Sequence, residues 1–407
     1  MLRVDCLTLK QVMIMLNNNQ FALLELLKAS LFEIELVTPT DVEWDAVLAE
    51  AKAQTVVALA AKAVPAEYVS QWQNYALQSQ AHFVRVLHGQ SQLVNLLKQA
   101  GIPLVILKGT AAAMYYPEPF RRAMGDVDFL VPQDKFEEAV QLLEANGYKP
   151  FRELQNQLDT SVRPRHIEFG KDGIEYELHH HFSANGIDIE STLINGLEHV
   201  ETAEIGGLSF PVLPAMENGL LLLAHAAFHL SSSELGLRQV IDWMMFVHQE
   251  LDDEKWKDCF CEMVEQAGLR KLAVALTRLC RDHLGLPGEY RWCEEADEQV
   301  VSHLLNLIYE RGNFGKKVPN HYNIENITSK VKSKGFFAYL RQISDEVWKR
   351  ESIQSSIAVI RPFLFIKKFC VLLRSRFRAS KGHLIKDLKS GNDLSKLYKE
   401  LGLNKRI

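Results

Sequence analysis

The chain reads as an α/β (α+β) protein, with a small mixed β-sheet core flanked by helical N- and C-terminal regions. Three observations carry that reading. Apolar residues recur every three to four positions from residue 7 to about 98, and that period breaks near Gly101 into short β-branched runs. The helical period returns from Met216 to about Asn306. A composition of 47% hydrophobic and 24% charged residues is that of a globular chain rather than a disordered or collagen-like one.

A length of 407 residues exceeds what one core fills, so more than one domain is expected. The boundaries read as a helical region at 1–98, a sheet core at 99–210, a helical domain at 211–311, a linker at 312–335 and a basic helical tail at 336–407. In the first region "EWDAVLAEAKAQTVVALAAKAV" and "AHFVRVLHGQSQLVNLLKQA" keep the 3–4 period, and Pro65 separates helices. "GIPLVILKG" is a buried strand, entered by Gly-Pro and closed by Gly109. "TAAAMYY" suits a helix with Thr110 as N-cap. After the loop "PEPFRRAMG", "DVDFLV" is a second strand ended by Pro132, and "QDKFEEAVQLLEANGY" is an amphipathic helix closed by Gly147. "RHIEFGKDGIEYELHHHF" alternates about Asp172-Gly173 and reads as a hairpin, with Glu175, Glu177, His179 and His181 on one face. The segment at 312–335 has the Gly, Asn and Lys content of a linker.

Composition also excludes several classes. The cysteines at 6, 259, 261, 280, 293 and 370 form no CxxC pair and no dense framework, so reduced thiols in a cytoplasmic protein are expected. The opening "MLRVDCLTLKQVMIML" lacks the continuous apolar segment and cleavage site of a signal peptide. No window is apolar enough for a transmembrane segment. Charge is uneven: residues 329–407 hold 19 Lys/Arg against 6 Asp/Glu, a balance of +13, so the rest of this −5 chain carries −18. The default for such a tail is a solvated helical face. "FLFIKKFCVLLRSRFR" also suits an anionic membrane, and phosphate neutralisation suits nucleic acid.

The chemistry gathers in the middle of the chain. In "RRAMGDVDFLV", Asp126 and Asp128 point to one side of a strand, roughly 7 Å apart along the backbone. Two unpaired anions so placed repel, so either water screens them or a cation bridges them. With a third acid from a neighbouring strand they can hold two divalent ions, and hard oxygen donors favour Mg²⁺ or Mn²⁺. The turn Lys108-Gly109-Thr110 precedes a helix, where free N–H groups suit a β/γ-phosphate and Gly109 allows close approach. Lys108 and Arg122 are placed to neutralise a triphosphate or departing pyrophosphate.

These residues also carry a resemblance. "GIPLVILKGTAAAMYYPEPFRRAMGDVDFLV", the Gly-Tyr after the next helix, "YELHHHF", "LLAHAAFHL" and "LRQVIDWMMF" resemble the uncharacterised nucleotidyltransferase family of the DNA polymerase β-like superfamily, over roughly residues 40 to 250. The resemblance implies metal-dependent transfer of a nucleoside monophosphate from an NTP, ATP first, to a hydroxyl of a small-molecule or macromolecular acceptor, with release of pyrophosphate. It implies Asp126, Asp128 and Glu177 as catalytic metal ligands for Mg²⁺ or Mn²⁺. Lys108, Gly109, Thr110 and Arg122 are implied to grip the nucleotide. Glu175 shares the face of Glu177, and the Leu-His context favours Glu177. Thr110 stands where the superfamily usually has Ser, and His180 where the family often has Trp. Two other readings stay open: a binding or regulatory protein of the same fold without turnover, and an RNA-modifying nucleotidyltransferase.

The histidines have plainer readings beside a metallic one. His179 to His181 lack a Cys or carboxylate at finger or hydrolase spacing, so a structural or substrate-side role is expected for His179. His225 and His229 share a helix face, yet Ala226 stands where a zinc protease needs Glu, so they read as core or cleft-lining residues. Arg238 and Asp242, also four apart, suit a helical ion pair, and the resemblance adds them with the histidines to the acceptor side. If the acids serve only a cation, Asp128→Asn is expected to abolish metal-dependent NTP binding while leaving the metal-free melting temperature unchanged or higher.

Overall fold

A computed structural model describes residues 16–151, 166–179, 187, 189–232, 234–317, 361–379 and 393–403, with 341, 344, 347 and 348. Seven strands, β1 (Val105–Leu107), β2 (Val127–Leu130), β3 (Lys149–Pro150), β4 (His166–Lys171), β5 (Ile174–His179), β6 (Glu201–Ile205) and β7 (Leu208–Val212), form one mixed sheet. Their order is β3-β4-β5-β2-β1-β7-β6. β1 runs antiparallel to β2, while β2 runs parallel to β5, which sets Asp128 opposite Glu177. The expected hairpin forms β4 and β5 around Asp172-Gly173, and its register pairs His166 with His179. A second hairpin, β6–β7, turns through Gly206 and Gly207, both at positive φ, and β7 pairs in parallel with β1. "IGGLSF" contains that turn signal, but short strands beside a longer helical run are weak against it.

The alternation of strand residues feeds two cores. Ile106, Val127, Phe129, Phe169, Tyr176 and Leu178 pack on helices α3 (Val69–Gln99) and α5 (Phe136–Ala145). A Cβ on Gly89 of α3 would lie 2.5 Å from both Ile174 and Tyr176, so the helix axis sits close on the sheet. On the opposite face, Val105, Leu107 and Leu130 join a larger core with α1 (Asn18–Phe32), α2 (Trp44–Ala53), α7 (Ala215–Ser231), α8 (Leu237–Glu250), α9 (Arg270–Leu284) and α10 (Glu298–Arg311). Helices from before the sheet therefore share a core with helices from after it. The acids of β2 and β5 face this helical side.

α8 is the central element of that core, with every residue from Leu237 to Val247 buried. Trp243 donates its indole N–H to Thr277 Oγ1 at 3.0 Å, which satisfies its one polar atom. α7 comes close enough to α8 that a Cβ on Gly219 would lie 2.0 Å from Phe246 Cζ. The short helix α4 (Gly109–Ala113) follows β1, and α6 (Glu190–Leu197) precedes the second hairpin.

Parts of the tail are described. Leu397 and Tyr398 are buried in the helical core, and the Tyr398 hydroxyl donates to the Leu230 carbonyl at 2.7 Å. The amphipathic stretch forms α11 (Arg361–Ala379), which exposes Phe363, Ile366 and Val371. The region read as a linker begins with a structured turn, Asn313–Gly315, and its residues 318–335 lie outside the described residues. Cys259, Cys261, Cys280, Cys293 and Cys370 are free. Among the described residues no helix is long and apolar enough to cross a membrane.

The α7–α8 contact gives a stability test. Gly219→Ala is expected to lower unfolding stability by about 1–3 kcal/mol in urea titration, because the buried Phe246 ring has nowhere to go. A variant as stable as wild type, as helix propensity alone would favour, contradicts this packing.

Candidate active site

β1 ends at Leu107, whose register partner is Asp128, so the chain turns sharply beside the acids. Lys108 adopts φ +49° and ψ −131°, a conformation strained for a residue with a Cβ, and Gly109 follows at φ +28°. A Cβ on Gly109 would lie 3.2 Å from Met124 Cε. The strain aims the Lys108 ammonium back across the strand, 2.6 Å from Asp128 Oδ1.

Asp126, Asp128 and Glu177 each bring a carboxylate oxygen within 4.8 Å of the other two. Glu175 is exposed and has no place in this group. Their surroundings treat the three acids differently. Like-charge repulsion from Asp128, with burial, pushes the Asp126 carboxyl up. Burial likewise raises Glu177. For Asp128 burial acts upward too, but Lys108 and a 2.7 Å hydrogen bond from His179 outweigh it and hold the group well below the usual carboxylate range. The same acids outweigh burial at Lys108 and raise its pKa. This all-oxygen donor set, with one acid raised by its neighbour's charge, fits a hard divalent cation.

The acids form one side of a cavity whose other walls include Lys108, Gly109, Arg122, His166, His179, His225, His229, Arg238 and Phe314. His225 and His229 meet Nε2 to Nε2 at 2.8 Å, so one of the two nitrogens donates. Burial first, then the charge each would impose on the other, holds the His225 pKa well below its ordinary value, and burial lowers that of His229. Both are therefore neutral hydrogen-bonding groups near pH 7. They line the cleft, as expected.

Three expectations need correction. Thr110 is not the N-cap and does not reach the cavity: Lys108 takes the cap position, and the fully buried Thr110 hydroxyl donates to Gln90 Oε1 at 2.7 Å. Arg122 lines the cavity, but each of its nitrogens already has an acceptor. Nε and Nη2 make a bidentate pair with Asp242 at 2.7 Å each, and Nη1 donates to the Ala123 carbonyl and Met124 Sδ. Asp242, expected to pair with Arg238 or face an acceptor, instead accepts from Arg122 and from the Tyr116 hydroxyl at 2.7 Å. Breaking such a buried pair costs about 3–5 kcal/mol, so Arg122 and Asp242 clamp the site loop to α8.

Arg238 takes the opposite role. It is only 7% exposed, and its Nε has no hydrogen-bond partner among the described residues. Its guanidinium carbon lies 5.0 Å from the centre of the Phe314 ring, and one Nη donates to Ala123 O at a long 3.4 Å. Burial and the nearby Arg122 both disfavour its charge. A buried arginine in a cavity wall, with no carboxylate in ion-pair contact among the described residues, suits an anion.

His166 and Phe314 were not singled out from the sequence. The register implied by the Asp172-Gly173 turn already places His166 opposite His179. Phe314 carried no such signal: it sits at φ +57° in the short turn that begins the expected linker, with its ring 5.1 Å from that of His229. His180 and His181 lie outside the described residues.

A family model described as an uncharacterised nucleotidyltransferase matches residues 40–285. The chain belongs to that family. No curated protein matches it. Membership supports a nucleotidyl-transfer activity and, with it, a nucleoside triphosphate substrate. The match covers β1 through β7 and α7 to α9, and so every cavity residue named above except Phe314.

The split among the acids reverses the expectation for Asp128. A carboxylate with a depressed pKa adds stability above its unfolded pKa, and that stability is lost as pH falls; one with a raised pKa does the reverse. Without added metal, Asp128→Asn should therefore lower the melting temperature, leaving Lys108 buried beside a neutral amide. Asp126→Asn should leave it unchanged or raise it. Equal shifts in calorimetric scans of the two variants would contradict this division.

Proposed function

We propose that the chain is a metal-dependent nucleotidyltransferase that moves a nucleoside monophosphate from an NTP, ATP first, to a hydroxyl of an acceptor. The observation that carries the reading is the convergence of Asp126, Asp128 and Glu177 at two paired strands, in one cavity with a buried arginine that has no ion-pair partner among the described residues. In this reading the three carboxylates hold Mg²⁺ or Mn²⁺. The ion, when bound, neutralises charge on the α-phosphate and lowers the pKa of the acceptor hydroxyl.

The remaining work falls to side chains. Arg238 offers its guanidinium group to the phosphate oxygens, and Lys108 lies at the same wall. Gly109, at φ +28° and without a side chain, lets the triphosphate approach the backbone. The acceptor hydroxyl releases its proton to solvent as its oxygen attacks the α-phosphorus in line, forming a P–O bond while the bond to the departing pyrophosphate breaks. His225 and His229, kept neutral by burial, offer hydrogen bonds on the acceptor side of the cavity. Phe314, against Arg238 and His229, shields this wall from water.

Calorimetric titration with ATP should show binding that requires Mg²⁺ or Mn²⁺ and falls at least about 100-fold in Asp126→Asn, a variant expected to stay folded. Arg238→Ala should weaken binding about 10- to 100-fold through loss of a charged hydrogen bond, with pyrophosphate release reduced in both variants. Equal ATP affinity with and without divalent metal would overturn the proposal.

A further inference from the structure

His166 and His179 are partners across the β4–β5 hairpin, and their rings lie 5.3 Å apart. Both reach Glu177. His179 Nε2 is 3.3 Å from Glu177 Oε2, and His166 Nε2 is 3.7 Å from Oε1. The two imidazole nitrogens and a Glu177 oxygen all lie within 4.8 Å of one another, a second ligand-bearing group beside the three carboxylates. His179 Nε2 also lies 2.7 Å from Asp128 Oδ1, so the groups adjoin through two residues.

Those spacings have a coordination reading. Two ligands at right angles about a small ion, each about 2.1 Å from it, sit about 3.0 Å apart, and the edge of a tetrahedral site is slightly longer. The His179–Glu177 separation is already near that value, and His166, half-buried at the cavity wall, would exchange its 3.2 Å contact with Glu168 Oε1 for the ion it shares with Glu177. Donor chemistry then selects the ion. Two imidazoles with one carboxylate suit a borderline cation better than Mg²⁺, whose preference is for oxygen. Each coordinating nitrogen must be unprotonated, with the ring proton on Nδ1, so the ion would replace the Nε2 hydrogen bonds that His179 makes to Asp128 and His166 makes to Glu168.

We propose that His166, Glu177 and His179 form a second divalent-cation position, sharing Glu177 with the carboxylate group and suited to Mn²⁺, Co²⁺ or Zn²⁺ rather than Mg²⁺. The inference builds on the cavity as a cation site but requires neither a nucleotide nor turnover. A centre of this kind lets the metal supply set the occupancy of one position while Mg²⁺ serves the other.

The test uses the full chain with Mn²⁺ alone. Pulsed electron paramagnetic resonance should show coupling of bound Mn²⁺ to imidazole ¹⁴N. That coupling should vanish in a His166→Gln/His179→Gln double variant. Because His179 also contacts Asp128, His166→Ala serves as the milder probe. It should weaken Zn²⁺ binding at least tenfold while changing Mg²⁺ affinity less than twofold. Bound Mn²⁺ without nitrogen coupling in the wild-type chain overturns the histidine position and leaves the carboxylate site standing. Failure of the wild-type chain to bind Mn²⁺ at all removes both.

Discussion

Three carboxylates share one small, largely buried region of a sheet face, and their mutual repulsion is the constraint around which the rest of the molecule is arranged. The parallel β2–β5 pairing sets Asp128 against Glu177, and the i, i+2 spacing adds Asp126 on the same side. The protein answers part of this charge with its own cations. A strained backbone at Lys108 delivers an ammonium to Asp128, and His179 reaches the same carboxylate. Asp126 and Glu177 are left with raised pKa values, so the internal compensation is incomplete. In the proposed function a divalent ion completes the compensation, and Lys108 would shift its attachment from Asp128 to an incoming phosphate.

The helical half of the molecule completes the cavity by a different use of charge. Arg122, the residue that follows the 3₁₀ turn Pro119–Arg121, is locked to Asp242 on the buried stretch of helix α8. That pair, with Tyr116 as a third member, fixes the loop carrying Asp126 relative to the helices. One turn earlier on α8, Arg238 is held in the cavity wall without such a partner. Two arginines of similar burial thus do opposite things: one is neutralised and positions the loop, the other stays available to an anion. The distinction follows from which carboxylate is in reach, not from the residue type.

Much of this was legible in the sequence, and what was missed has identifiable causes. Strand alternation and the turn residues at Gly109, Pro132 and Asp172-Gly173 mark β1, β2 and the β4–β5 hairpin because those signals are local. The acids could be read from spacing and resemblance for the same reason. Local patterning could not tell that Asp242 would find Arg122 in place of Arg238, since that pairing spans 120 positions and depends on how α8 docks. Thr110 looked like a cap because Ser and Thr often are, yet Gln90 on α3 captures its hydroxyl. Phe314 lies in a segment whose Gly and Asn content signals a turn and says nothing of what the turn covers. The β6–β7 hairpin carries a Gly-Gly turn, and the alternation of Leu208, Phe210 and Val212 after it could have been read as a strand.

The central claim is that the carboxylate group exists to be neutralised by bound divalent ions. Scanning calorimetry of the unmodified chain across a Mg²⁺ and a Mn²⁺ series, against a chelator control, tests it most directly. A ligand that binds the folded state alone raises stability with the logarithm of its concentration above Kd. A saturable dissociation constant and a melting temperature that climbs with metal at constant ionic strength are the predicted result. A melting temperature indifferent to both ions would mean that Lys108 and His179 already satisfy the acids, and the catalytic reading would fall.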